Sequence, residues 1–255
     1  MRYLKLKLDN EQMILQNLLN HGDEVFLPNI SVDIVIFGYE KKQLKVLLLQ
    51  VSDEAWMLPG GYILRTESAG LASKRNLKER IGLSEVYLKQ FYTFSDPKRV
   101  SADALRSLFN QFDISINKDS WIFDRFISVG HYALVPMESC HPSPGLFARD
   151  CAWFSVKKLP KLLFDHKAIL MKAKQTLEED ARTFPIPFHL LQNKFTMPEL
   201  HAVFETLYDK RIDRSRFQKK MLSYEVFERL EVIDERVPHR RPYLYRLKEA
   251  DKKYT

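Results

Sequence analysis

Thiol is scarce in this chain of 255 residues: Cys140 and Cys151 are its only cysteines. Two are too few for a disulfide framework or a cysteine-rich zinc site. Long apolar runs are also missing, and none approaches the roughly 20 residues that cross a bilayer. Arg2, Lys5 and Lys7 open the chain, but Asp9 and Glu11 follow and no apolar stretch of a secretion signal comes after them. These absences set the expectation of a cytoplasmic protein. What remains, 45% hydrophobic and 29% charged residues, suits one or two domains with real cores. Basic residues are concentrated at the C-terminal end. Residues 210–255 hold 14 Lys and Arg against 8 Asp and Glu, so nearly all of the net +7 sits there. Such clustering fits a polyanion partner or a solvated basic surface.

Alternating and apolar runs place strands at residues 31–39 and 43–51, joined by the charged turn Glu40-Lys41-Lys42, and further strands at 88–94, 126–135 and 152–155. Helical spacing marks residues 10–19, 66–81 and 160–181. Strands interleaved with helices predict an α/β (α+β) sandwich. Pro185 and Pro187 then make residues 183–187 a stiff linker, since proline restricts itself and its neighbour.

Beyond the linker the signals are those of a helix-turn-helix. Thr196 and Glu199 have capping-box spacing before a helix that turns Leu200, Val203, Phe204 and Leu207 inward. Residues 208–212 give the turn. Asp213 can cap a second helix, with Ile212 and Phe217 at staple spacing. That helix buries Phe217 and Met221 and presents Arg214, Ser215, Arg216, Lys219 and Lys220, where such helices reach base edges and phosphates in the major groove. Strands at 230–234 and 243–247 flank a loop carrying Arg236, His239, Arg240 and Arg241, suited to backbone phosphate or the minor groove.

The segment from Gly61 to Gly82, GYILRTESAGLASKRNLKERIG, follows Leu58-Pro59-Gly60 and resembles the Nudix box, G-x5-E-x7-R-E-U-x-E-E-x-G-U with U apolar. Gly61, Glu67, Arg75, Leu77, Glu79, Gly82 and Leu83 fall on the pattern; Asn76 and Arg80 stand at two of its acidic positions. On a helix, residues 76, 79 and 80 share one face. Magnesium takes hard oxygen ligands and must offset diphosphate charge, so one carboxylate, an amide and a guanidinium make a poor site. The reading is a Nudix fold without hydrolytic chemistry: no catalytic residue, no metal and no cofactor. Glu79 then has a structural role, paired with Arg75 or Arg80.

QFYTFSDPKRV, FISVGHYALVP and the stretch 187–222 resemble the Nudix-related transcriptional regulators of the NrtR class, over roughly residues 30–248. The resemblance implies a Nudix-like sandwich followed by a C-terminal winged helix-turn-helix domain. The division reads as an N-terminal arm at 1–25, a Nudix-like effector domain at 26–182 and a DNA-binding domain at 183–255. Residues 101–125 read as an insertion in which Leu105, Leu108, Phe109 and Phe112 have helical spacing, a lid or a dimer contact.

Asp33 interrupts the apolar strand SVDIVIF. A carboxylate there must be bonded, to a ligand hydroxyl or equally to Lys98, an arginine or backbone. Phe37 shares its face. Trp56, Tyr62, Lys98 and His131 complete the candidate ligand set, because the Nudix cleft forms around the box and these strands. The function expected is a homodimeric repressor on double-stranded, palindromic operator DNA. Its ligand would be a free sugar, L-arabinose, as in the arabinose-responsive (AraR-type) members of the class, since a neutral sugar needs no metal. Three alternatives stay open: a sensor of ADP-ribose or related NAD metabolites, an active Nudix hydrolase fused to a DNA-binding module, and a DNA-binding protein whose Nudix domain only dimerises.

Overall fold

The structure, a computed structural model, describes residues 2–109, 116–117, 119–146, 148–230 and 243–249. Its centre is a long strand β1, Phe26–Glu40. It pairs antiparallel with β2, Gln43–Gln50, and with β4, Gly60–Leu64, and parallel with β6, Ile127–Leu134. Strands β3 (Trp56–Met57), β5 (Tyr87–Phe94) and β7 (Asp150–Ser155) complete a seven-stranded mixed sheet of order β3-β2-β1-β6-β5, with β4 added on β1 and β7 on β2.

The run Ile34-Val35-Ile36-Phe37 is wholly buried because both sheet faces are covered. Ile34 and Ile36 pack with Leu77 and Ile81 of helix α2, Ala69–Ile81. Val35 and Phe37 face Ile169, Leu170, Ala173 and Leu177 of helix α4, His166–Thr183. Each such side chain contributes about 1.5–3 kcal/mol on burial, so this double layer is the main source of order near the site.

Helix boundaries differ from the sequence expectation where local bonding intervenes. The box helix starts at Ala69 rather than residue 66, because the Ser68 side chain accepts from Leu71 N and caps it there. The helix expected from residue 160 starts at His166. Residues before it run along β3 instead, with Trp56 N donating to Lys161 O at 3.0 Å and Leu163 N to Trp56 O at 2.9 Å. The N-terminal helix α1 spans Arg2–His21, longer than the 10–19 expected. Inside the insertion, α3 covers Ala102–Phe109, and Phe112 lies outside the described residues. Arm and insertion close on each other: Leu15, Leu19, Phe109 and Ile122 form one cluster, and Trp121 Nε1 donates to Leu18 O at 3.2 Å.

Residues 183–187, expected as a stiff linker, lead into packed structure. Ile186–Leu190 forms a 3-10 turn with Ile186, Pro187, Phe188 and Leu190 buried. One cluster runs from Phe37 through Leu177, Ile186 and Phe188 to Phe195, Phe204 and Phe227. Helix α5, Met197–Tyr208, opens with both halves of the Thr196–Glu199 capping box formed. Helix α6, Arg214–Ser223, is capped by Asp213, which accepts from Arg216 N at 2.8 Å. Strands β8 (Phe195–Thr196), β9 (Phe227–Leu230) and β10 (Leu244–Leu247) form a small sheet of order β8-β10-β9. The first of its hairpin strands ends at Leu230, where the sequence expectation began it; residues 231–242 lie outside the described set.

Candidate effector cavity and nucleic-acid interface

A cavity of about 550 Å³ opens where β1, β4 and α2 meet the arm and insertion. Gly60 and Gly61 let β4 approach this closely. A Cβ on Gly60 would fall 2.5 Å from Val32 O, and one on Gly61 would collide with the Asn76 amide. One wall is apolar, built by Leu18 of the arm with Leu105, Leu108, Phe109 and Ile122. Beside it Tyr62 sits among aromatic rings, with centroids 4.7 Å from Trp121 and 5.7 Å from both Phe26 and Phe126. Burial pushes the Tyr62 phenol well above its usual range, and the charge of Asp33 adds to this.

The floor is a closed polar network. Arg99 Nη2 donates to Asp33 Oδ2 and to Asp165 Oδ1, both at 3.1 Å, and Arg99 Nε donates to Asp165 Oδ2 at 3.0 Å. Ser128 Oγ donates to Asp33 Oδ2 at 2.6 Å. His166 accepts from Leu58 N through Nδ1 at 2.9 Å, which leaves its proton on Nε2, 3.6 Å from Asp33 Oδ1. Burial lowers the His166 pKa, a trend that Asp33 and Asp165 oppose.

The box side chains form a second network. Arg75 donates to Glu67 Oε1 at 2.6 Å and to Tyr62 O at 2.9 Å, and lies 3.7 Å from Glu79. The Arg75 hydrogen bond holds the Glu67 carboxyl below its usual range. Asn76 donates to Ala72 O at 2.8 Å. Glu79 is the single carboxylate among the three box positions 76, 79 and 80, and all three line the cavity. Among the described residues no group of three His, Cys, Asp or Glu could hold a metal. This donor set does not fit a divalent cation that needs several hard oxygens.

Of the residues singled out in the sequence, Asp33 and Tyr62 line the cavity; Phe37, Trp56, Lys98 and His131 do not. Phe37 is in the core against Tyr132. Trp56 packs edge-on to Phe154 at 4.6 Å. His131 is buried between Ser73 Oγ at 3.1 Å and Val129 O at 3.2 Å, where burial lowers its pKa. Lys98 is exposed, and its neighbour Arg99 turns in to meet Asp33. Arg99 and His166 were missed. The signal for Arg99 was present, because a buried carboxylate requires a partner, but the pair Lys98-Arg99 gives no sign of which side chain turns inward. His166 carried no signal at all while its segment read as helix interior.

On α6, Phe217 and Met221 point into the core and Arg214, Ser215, Arg216, Lys219 and Lys220 are all exposed. Lys220 Nζ also donates to Arg182 O at the end of α4, at 3.2 Å. The wing candidates Arg236, His239, Arg240 and Arg241 lie outside the described residues. No helix among the described residues is long and apolar enough to cross a membrane.

These features recur in known proteins. Residues 187–247 match the family model described as the NrtR DNA-binding winged helix domain. The chain is 25% identical over 228 residues to the ADPR responsive transcriptional repressor NtrR of Acinetobacter baylyi, covering 86% of this chain and 82% of that protein. The crystal structure of Shewanella oneidensis NrtR complexed with a 27mer DNA aligns with a TM-score of 0.66 at 27% identity, over 86% of this chain and 93% of that one. A MutT/nudix family protein from Enterococcus faecalis aligns with a TM-score of 0.63 at 25% identity, over 87% and 86% of the two chains. The chain therefore has the architecture of the NrtR structures: a Nudix-like α/β domain followed by a C-terminal winged helix domain of the NrtR type.

Proposed function

We propose that the protein is a DNA-binding transcriptional regulator whose Nudix-like domain binds a nucleotide effector of the ADP-ribose kind without hydrolysing it. The observation that carries this reading is the coexistence, in one packed chain, of a 550 Å³ cavity and a capped, exposed cationic helix in a winged helix domain. The cavity has the size of small-molecule sites, about 300–1,000 Å³. Its apolar wall and aromatic Tyr62 suit a base, and its arginines suit phosphates. The Acinetobacter relative is named for its response to ADPR, and the Shewanella structure contains DNA. The L-arabinose expectation has no such support. Asp33, the residue on which it rested, already accepts from Arg99 and Ser128 through Oδ2.

DNA contact falls to α6 and to Arg236, His239, Arg240 and Arg241, with the chain acting as a dimer on a two-fold site. The test is a thermal-shift and DNA-binding pair of measurements. ADP-ribose should raise the melting temperature and change affinity for operator DNA, and DNA should change ADP-ribose affinity by the same factor. A shift with L-arabinose and none with ADP-ribose would restore the sugar reading.

A further inference from the structure

Among the described residues, one buried side-chain nitrogen or oxygen has no hydrogen-bond partner: Nε of Arg80. Arg80 is only 8% exposed and lines the cavity. The other two guanidinium groups there are engaged, Arg75 with Glu67 at 2.6 Å and Arg99 with Asp33 and Asp165. Arg80 has no carboxylate within 4.0 Å among the described residues; Glu79, next to it, leans toward Arg75 and is half exposed. A buried charge without a paired carboxylate is costly, and burial opposes the charged form here more than the charge of Glu79 favours it. Arginine nevertheless does not give up its proton at neutral pH.

The surrounding backbone is shaped to this guanidinium. Gly145, at φ +69°, lies directly under it, and a Cβ at that position would occupy the space of Nη1. Ser143 N donates to Arg80 O at 2.8 Å, pinning the same loop to the end of α2. The cation is thus seated, not stray. It also stands at a box position where the Nudix pattern has a carboxylate, so the local charge is inverted relative to a metal-binding face.

We infer that Arg80 is the anion-holding residue of the effector site: its guanidinium takes the phosphate charge of a nucleoside diphosphate ester, where a carboxylate-rich box would present a divalent cation. This rests on the proposed nucleotide effector. It makes recognition of the diphosphate independent of metal, since the compensating charge is part of the chain.

Calorimetric titration of the full chain tests it, with ADP-ribose in EDTA, ADP-ribose in Mg2+, and adenosine as the phosphate-free control. Wild-type protein should bind ADP-ribose equally with and without Mg2+. Arg80→Gln should weaken ADP-ribose by about ten-fold or more while sparing adenosine, and Arg80→Lys should retain more affinity than the glutamine variant. Removal of an uncompensated buried charge should leave the melting temperature of Arg80→Gln at or above that of wild type; should that variant misfold, Arg80→Met carries the same expectation. Unchanged ADP-ribose affinity in Arg80→Gln overturns the inference and leaves the proposed function standing. Binding that vanishes in EDTA and returns with Mg2+ overturns it as well. If wild type binds no ADP-ribose, the effector reading fails, and inorganic pyrophosphate becomes the probe; binding of pyrophosphate that ignores Arg80 then removes the anion assignment too.

Discussion

Arg99 and Asp33, 66 residues apart in the chain, meet at 3.1 Å beneath the cavity with side chains 5% and 10% exposed. An Asp33 waiting for a sugar could be truncated without harm to the fold. An Asp33 that compensates a buried guanidinium cannot. Breaking a buried pair costs about 3–5 kcal/mol, and because Arg99 keeps Asp165 the loss in Asp33→Ala should sit near ~3 kcal/mol. Urea unfolding measures it. An unchanged midpoint would show that the pair contributes nothing.

Stability should fall as pH drops from 7 toward 5. His166 and His131 both have folded-state pKa values lowered, first of all by burial. The unfolded chain therefore binds protons first, below about 6.5. Their contribution is complete above that value and declines as pH falls, by at most about 1.4 kcal/mol per unit for each histidine. A second loss belongs to Glu67, whose folded pKa is lowered by its hydrogen bond from Arg75. That stability is present above about pH 4.3 and lost as pH falls through the folded value. His131→Gln with His166→Gln should flatten the upper slope, and Glu67→Gln the lower one; denaturation series across pH would show a persistent slope if other groups dominate.

Arg216→Ala and Lys219→Ala should weaken DNA binding in different ways. Loss of a base contact from Arg216 should cost ~1–3 kcal/mol for the specific operator and relax its selectivity. Loss of a phosphate contact from Lys219 should weaken all sequences alike and reduce the salt slope by about 1. Anisotropy titrations at several salt concentrations separate the two. Neither substitution should alter an effector-induced melting shift, because both side chains are exposed on α6.

Hydrolysis of ADP-ribose should stay at background with Mg2+ present, since Glu79 is the lone carboxylate of the box face and Arg80 repels the ion. Phosphate-release or chromatographic assays decide it. Robust Mg2+-dependent turnover that Glu79→Gln abolishes would falsify the non-hydrolytic reading.

The legible parts of the fold were those governed by local rules. Thr196, Glu199 and Asp213 announced two helices because caps act within one turn, and SVDIVIF announced a strand by its apolar run, though not that both its faces are covered. The site was harder, because its members come from distant segments. Asp33 could be seen to need a partner, but Arg99 and His166 converge on it, with Asp165 holding the other side of Arg99, only in the folded chain. The start of α4 was itself misplaced, as pairing of residues 161–163 with Trp56 overrode their helical spacing. The insertion showed its apolar periodicity but not its destination: Phe109 and Ile122 close on Leu15 and Leu19, nearly a hundred residues earlier.

The hydrophobic cluster that runs unbroken from Phe37 to Phe227 has a consequence for how the molecule comes apart. A hinge of solvated residues would let the two halves melt separately, each with its own midpoint. Here Ile186, Phe188 and Leu190 are core residues at the junction, so severing the chain after residue 182 would bare Leu177 and Ala181 on one side and these three on the other. Each fragment would then carry an apolar scar prone to association. In the intact chain, heat should meet a single cooperative unit. Effector at a hundred times its Kd, worth about 2.7 kcal/mol, would then protect the amides of α6 from solvent exchange as fully as those of β1.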